Sequence, residues 1–110
     1  ILETINFALK TPSDFVEFHI ATPYYGTELY KIMEKEGLLR EEVEGHNYFS
    51  NPVGGTKYLT KEEVINLRKK ALLRFYLRPN YILKTILSQN PKSLKNYIKY
   101  GLKLIKNSIF

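Results

Sequence analysis

At 110 residues, 44% hydrophobic and 25% charged, the chain has ordinary globular usage, which excludes a disordered tail or a collagen-like repeat and allows one small domain or a piece of a larger one. The absence of cysteine excludes disulfides, thiolate nucleophiles and iron–sulfur ligation by this chain, and no apolar run reaches the roughly 20 residues that span a bilayer. The net charge of +6 hides a split: residues 1–63 carry eleven acids against six Lys or Arg, a balance of −5, whereas residues 64–110 carry eleven Lys or Arg and no acid.

In chain order, Ile1, Ile5, Phe7, Ala8 and Leu9 recur with helical spacing until Thr11-Pro12, where proline ends the pattern. The pattern starts at Ile1 with no helix-start signal before it. Residues 1–10 therefore read as the second half of a helix, and the chain as an excised segment. Residues 15–21 alternate, with Val16, Phe18 and Ile20 on one face and Phe15, Glu17 and His19 on the other, which predicts a strand. Thr22-Pro23-Tyr24-Tyr25-Gly26 is a turn cluster, Thr27 is a good N-cap, and Gly37 is the matching stop for a helix through Glu36. Helix–strand–helix is the repeating unit of an α/β protein, and a lone strand needs neighbours.

Between 43 and 59, Asn47-Tyr48-Phe49 and Thr56-Lys57-Tyr58-Leu59 flank Pro52 and Gly54-Gly55 and suggest a short hairpin. Thr60-Lys61-Glu62-Glu63 forms a capping box ahead of Val64, Leu67, Ala71, Leu72, Phe75 and Tyr76 at helical spacing. Arg78-Pro79 breaks that helix, a short one follows through Tyr81, Ile82, Ile86 and Leu87, and Asn90-Pro91 breaks again. Ser93 to Ile109 supports a third, with Leu94, Tyr97, Ile98, Leu102 and Ile105 on one stripe and Lys95, Lys99, Lys103 and Lys106 on the other.

No motif for self-contained catalysis is present. Gly54-Gly55-Thr56-Lys57 lacks the spacing that cradles phosphates and reads as a turn, and Glu41, Glu42, Glu44 and His46 read as a solvated acidic loop because no metal-ligand spacing matches. The turn from Thr22 to Thr27 carries more information, since it joins the carboxyl end of a strand to a helix N-terminus, where α/β proteins place ligands. Glu17 and His19, opposite the helix-packing face, would point into a sheet or barrel interior, either toward a ligand or toward pairing partners. In the basic half, Phe75, Tyr76, Tyr81, Tyr97 and Tyr100 lie among Arg68, Lys69, Lys70, Arg74, Arg78 and Lys84, a composition suited to RNA or an anionic membrane and equally to a solvated helical cap.

With these elements placed, Phe7-Ala8-Leu9-Lys10 and the run Asp14-Phe15-Val16-Glu17-Phe18-His19-Ile20-Ala21-Thr22-Pro23-Tyr24-Tyr25-Gly26-Thr27-Glu28-Leu29-Tyr30 resemble the end of the catalytic barrel in radical S-adenosylmethionine enzymes. The likeness is greatest to the cobalamin-binding branch that includes anaerobic magnesium-protoporphyrin monomethyl ester cyclases and related methyltransferases. Thr56 to Glu63 and Lys69 to Pro79 resemble that branch's C-terminal extension, so the match runs from residue 1 to about 87. In that family the turn reads T-P-Y-P-G-T, and here Tyr25 replaces the second proline.

The resemblance implies an α/β fragment, mostly helical: the last strand–helix unit of a partial TIM-like barrel over 1–40, a loop or short hairpin over 41–59, and a basic helical extension over 60–110. It implies Thr22, Pro23, Gly26 and Thr27 as positions near S-adenosylmethionine, with Glu17 and His19 substrate-facing by our reading of the strand. The parent enzyme would carry a [4Fe–4S] cluster, S-adenosylmethionine and, in this branch, cobalamin; the fragment itself would hold no cofactor, no metal and no catalytic residue, and would be inactive alone. Expected partners are the upstream barrel and cobalamin-binding domains, or a second copy through exposed strand edges. A membrane surface contacting residues 64–110 is the further expectation, with no specific nucleic acid. The expected location is cytoplasmic, with or without membrane association, which the missing cysteines fit. The alternative from another class is an independent basic helical module that binds RNA or anionic membrane.

Overall fold

The computed structural model describes residues 1–39, 52–88 and 90–109, the side chains of Ser108 and Ile109 excepted. Five helices occur in them: α1 (Leu2–Lys10), α2 (Glu28–Lys35), α3 (Lys61–Tyr76), α4 (Pro79–Ser88) and α5 (Pro91–Ile109). Each starts or stops on the expected chemistry. Thr27 Oγ accepts from the Tyr30 N–H at 3.2 Å to cap α2, and Gly37, at φ 65°, closes it. There the Leu38 N–H reaches the Met33 carbonyl at 2.8 Å and the Gly37 N–H the Glu34 carbonyl at 3.1 Å, the paired bonds of a Schellman end. The capping box before α3 is fully formed, with the Thr60 N–H donating to Glu63 Oε2 at 2.8 Å and the Glu63 N–H to Thr60 Oγ at 3.2 Å. Pro79 and Pro91 do not merely break the preceding helices; each occupies the first turn of the next, where its missing N–H costs nothing. Asn90 caps α5 by accepting from the Ser93 N–H at 2.9 Å.

The chain divides into two compact units, one made of Ile1–Glu17 and Lys69–Phe110, the other of Phe18–Arg68. In the first, Ile5, Ala71 and Phe75 are buried. Phe75 sits in a cluster with Tyr76 and Tyr81, the ring centroids 5.1, 5.6 and 5.5 Å apart and the Tyr76 ring edge-on to both others, the arrangement aromatic quadrupoles favour. Arg78 lies over the Phe75 ring at 4.0 Å and donates to the carbonyls of Phe75 and Leu9, both at 2.9 Å. One guanidinium thus satisfies carbonyls at the C-terminal ends of α1 and α3, where helices leave acceptors without partners. In the second unit, Met33, Val53 and Pro23 are buried, and segment 52–54 presses on the end of α2.

The segment expected to be a strand is the main departure. Among the described residues no strand ladder exists, so the barrel strand over 15–21 takes no sheet partner here. Its period-two pattern is nonetheless realised in burial: Val16, Phe18, Ile20 and Thr22 are half-buried, while Phe15, Glu17, His19 and Ala21 are exposed. Side chains hold it instead of a neighbouring strand. The Tyr76 hydroxyl accepts from the Val16 N–H at 3.2 Å and donates to the Val16 carbonyl at 2.9 Å, and Tyr81 donates to the Asp14 carbonyl at 2.8 Å. In the second unit, Arg68 Nε donates to the Phe18 carbonyl at 2.7 Å. Of the expected hairpin, Asn47-Tyr48-Phe49 lies outside the described residues, and Thr56 to Leu59 forms a bend closed by Thr56 N–H to the Leu59 carbonyl at 2.7 Å rather than a strand.

Replacing Tyr76 by Phe keeps the ring and deletes the hydroxyl, so two part-buried backbone groups of Val16 lose their partner. Destabilisation of about 1–2 kcal/mol is expected in urea unfolding of the chain, with helix content unchanged. An unchanged midpoint would show that the hydroxyl holds nothing. Partial burial, and next the neighbouring Tyr76, keep the Tyr81 phenol above its ordinary value of 10.0. The folded state thus prefers the neutral phenol, so this contribution is complete below pH 10.0 and is lost as pH rises through the raised value. The unfolding midpoint should therefore fall more steeply with alkalinity in the natural chain than in Tyr81→Phe.

Candidate functional site

The turn leading into α2 is built almost wholly from local hydrogen bonds. The Tyr24 carbonyl accepts from the Thr27 N–H at 3.1 Å and from Thr27 Oγ at 2.6 Å, and Gly26 takes φ 83°, the pattern of a type II turn over Tyr24–Thr27 with glycine at its third position. The Tyr24 N–H closes back on the Thr22 carbonyl at 3.0 Å, and Pro23 is fully buried beneath. Tyr25 occupies the second turn position, where proline would also fit. Without a pyrrolidine ring there, the side chain is free to lean on Tyr30, the ring centroids 4.7 Å apart. Burial, then the adjacent Tyr25 phenol, raise the Tyr30 hydroxyl above its ordinary value.

Thr27 therefore works twice, its hydroxyl donating to Tyr24 and accepting from Tyr30, while its carbonyl takes the Lys31 N–H at 3.3 Å. The N–H groups of Glu28 and Leu29 are left without a backbone acceptor among the described residues, beside the exposed surface of Tyr24, Tyr25, Gly26 and Thr27. Such a rim of backbone donors and aromatic edges suits a polar, planar ligand.

Thr22, Pro23, Gly26 and Thr27 thus fall in one turn of the second unit. Glu17 and His19 share the exposed side of the extended segment, Glu17 at the end of the first unit's opening stretch and His19 in the second unit. Glu41, Glu42, Glu44 and His46 lie outside the described residues. Gly54 and Gly55 are accounted for by packing: a Cβ on Gly54 would run into the Leu38 carbonyl, and one on Gly55 into the Leu59 carbonyl.

The basic half is sorted by its contacts. Arg68 is bonded to Phe18, Arg78 to Leu9 and Phe75, and Lys84 to Asp14 at 2.8 Å, while Arg74 approaches Asn6 at 3.4 Å. Phe75, Tyr76 and Tyr81 form one ring cluster, with Phe75 buried and the two tyrosines half-buried. Neither role was visible in composition, because it depends on which carbonyls the tertiary fold leaves within reach. The five lysines of α5 have no hydrogen-bond or ion-pair partner among the described residues, and neither do Lys69 and Lys70 of α3.

No protein-family model matches the chain, and no solved structure matches it. It is similar to an uncharacterized methyltransferase of Pyrococcus horikoshii, 36% identical over 97 residues that make up 87% of this chain and 21% of that protein. The chain thus spans about a fifth of the length of the curated relative it matches.

Gly26 and Gly54 separate two kinds of glycine requirement. At Gly26 a Cβ meets nothing within 4 Å, so Gly26→Ala should cost only the left-handed backbone strain, about 1–2 kcal/mol. Gly54→Ala should cost more, since the carbonyl in its path belongs to the backbone. Denaturant midpoints of the two variants check the order, and an equal or reversed order would refute the packing assignment.

Proposed function

We propose that this chain is the C-terminal segment of a larger S-adenosylmethionine-dependent enzyme of the radical type, a methyltransferase or an oxidoreductase such as the cyclases its motifs resemble. In it, the chain frames the cofactor and substrate site and carries out no chemistry by itself. The observation that supports this most is the extent of the similarity: nearly the whole chain aligns with only a fifth of a protein described as a methyltransferase.

Burial supports the same reading. Five hydrophobic residues are buried among the described ones, whereas eighteen large hydrophobics are exposed, Phe7 at 73% and Phe15 at 67% among them. At about 25 cal/mol per Å² of apolar surface, such faces favour burial against further protein. The extended segment adds an edge without a ladder, the natural place for neighbouring barrel strands to pair.

In this reading Thr22, Pro23, Gly26 and Thr27 border S-adenosylmethionine, with Gly26 letting the backbone approach and Pro23 anchoring the turn from below. Glu17 and His19 face the substrate from the neighbouring segment. The chain has no cysteine, so it fits a [4Fe–4S] cluster only as a bordering wall, the ligands coming from the barrel upstream. Such a cluster, when bound, supplies the electron that cleaves S-adenosylmethionine. The role of this chain is to orient the cofactor through the turn and to exclude water with the aromatic edges of Tyr24 and Tyr25. A cobalamin, in that branch, is held by a further domain.

A chimera tests this. The chain is substituted for the matching fifth of the Pyrococcus protein, and both the chimera and the 110-residue chain are incubated anaerobically with reductant and S-adenosylmethionine. The chimera should form 5′-deoxyadenosine or S-adenosylhomocysteine, and the chain alone should form neither. Product from the chain alone, or a soluble chimera that binds S-adenosylmethionine no better than a deletion of the segment, would overturn the reading.

A further inference from the structure

We infer that α4 and α5 form a docking face for an anionic phospholipid bilayer. Over its 19 residues α5 has no acid, and Lys92, Lys95, Lys99, Lys103 and Lys106 are all exposed. None has an ion-pair partner among the described residues. At 100° per residue these lysines occupy one arc, and Leu94, Gly101, Leu104 and Ile105, half-buried, lie nearly opposite. Between the two arcs run Ile98, 55% exposed, and Leu102, 63% exposed, one turn apart. Helical spacing places Lys95 beside Ile98, and Lys99 and Lys106 beside Leu102.

Ile98 and Leu102 also line an open, largely apolar cleft of about 680 Å³ together with Ile82 and Ile86 of α4 and the rings of Tyr97 and Tyr100, so the aliphatic side chains of both helices meet at one mouth, and the lysines next to Ile98 and Leu102 on α5 lie outside its lining. On the far flank of the lysine arc, Tyr100 is exposed. Aliphatic groups that dip in, lysines that reach up their own stems to headgroups, and a tyrosine at the border are the components of a helix lying in a membrane interface. No helix among the described residues is long and apolar enough to cross a membrane, so the contact is made from the surface.

Charge complementarity selects the occupant. Cations with no internal acid call for an anionic partner, and by helical spacing Lys95, Lys99 and Lys106 adjoin the exposed aliphatic Ile98 and Leu102, with Tyr100 next to Lys103, the mix of aliphatic groups, lysines and a bordering tyrosine that suits a lipid interface. The inference is independent of the enzymatic reading above, since it rests on unit residues far in sequence from the turn at Thr22.

The full chain is sedimented with vesicles of phosphatidylcholine alone and of phosphatidylcholine mixed with phosphatidylglycerol. Partitioning should be confined to the mixed vesicles and weaken with salt. Both Ile98→Ser/Leu102→Ser and Lys95→Gln/Lys99→Gln/Lys106→Gln change exposed residues, so each should keep its circular dichroism while losing about tenfold or more in partitioning. Absence of binding at low salt, equal binding to neutral vesicles, or a serine variant that binds like the natural chain would overturn the inference. So would an RNA oligomer that binds more tightly than the mixed vesicles and needs the lysines alone.

Discussion

The structure of the first unit depends on how the backbone of one extended segment is satisfied without a ladder. Every buried peptide group must find a partner, and a strand normally finds two in its neighbours. Here a single phenol serves both groups of Val16, and a second, on Tyr81, serves the carbonyl of Asp14. The phenols can do so because their rings are fixed by Phe75, the fully buried centre of the cluster. Fixing a phenol by ring packing lowers the entropy lost when it bonds, which is why aromatic hydroxyls rather than serine or lysine make these contacts. Arg78 completes the arrangement by lying on the same ring and joining the ends of α1 and α3. Remove the order in the cluster, and the extended segment, the end of α1 and the start of α4 lose their reference together.

Local signals were readable and tertiary ones were not. Thr27, Gly37, the Thr60–Glu63 box and the two Asx-Pro or Arg-Pro breaks marked the helices correctly because caps act within four residues and their partners are in the same stretch of chain. The alternation over 15–22 was also real, as burial shows, but alternation reports which face is covered, not what covers it. Pairing with a second strand is a different matter, and the helices α3 and α4 take that place with side-chain donors. The glycine pair carries a further, steric requirement, since carbonyls of Leu38 and Leu59 come where a Cβ would be. A close approach between segments distant in sequence leaves no mark except the glycine itself.

Composition gave the least reliable guide in the basic half, where one class of residue divides into two roles. Arg68 and Arg78 are consumed by backbone carbonyls, a use suited to their fixed, multi-donor planes, and Arg74 reaches the Asn6 side chain, whereas the lysines of α5 stay at the surface. Tyrosines divide likewise: Tyr76 and Tyr81 are half-buried against Phe75, and Tyr100 is exposed. A patch that looked uniform in sequence is thus a structural cluster followed by an amphipathic helix.

The turn at Thr22–Thr27 shows how a turn can be shaped by its own hydrogen bonds, with little help from the rest of the unit. Its bonds are local, its strained residue is a glycine, and Pro23 is the one member that is buried, so the exposed rim of Tyr24, Tyr25 and Gly26 can change partners without disturbing the packing below. The same rim has little apolar cover on its open side, and neither do Phe7 on α1 and Phe15 on the extended segment. In the proposed enzymatic reading the turn contributes geometry and neighbouring protein contributes enclosure, which separates its role from the one inferred for α4 and α5, where the proposed partner is a charged surface.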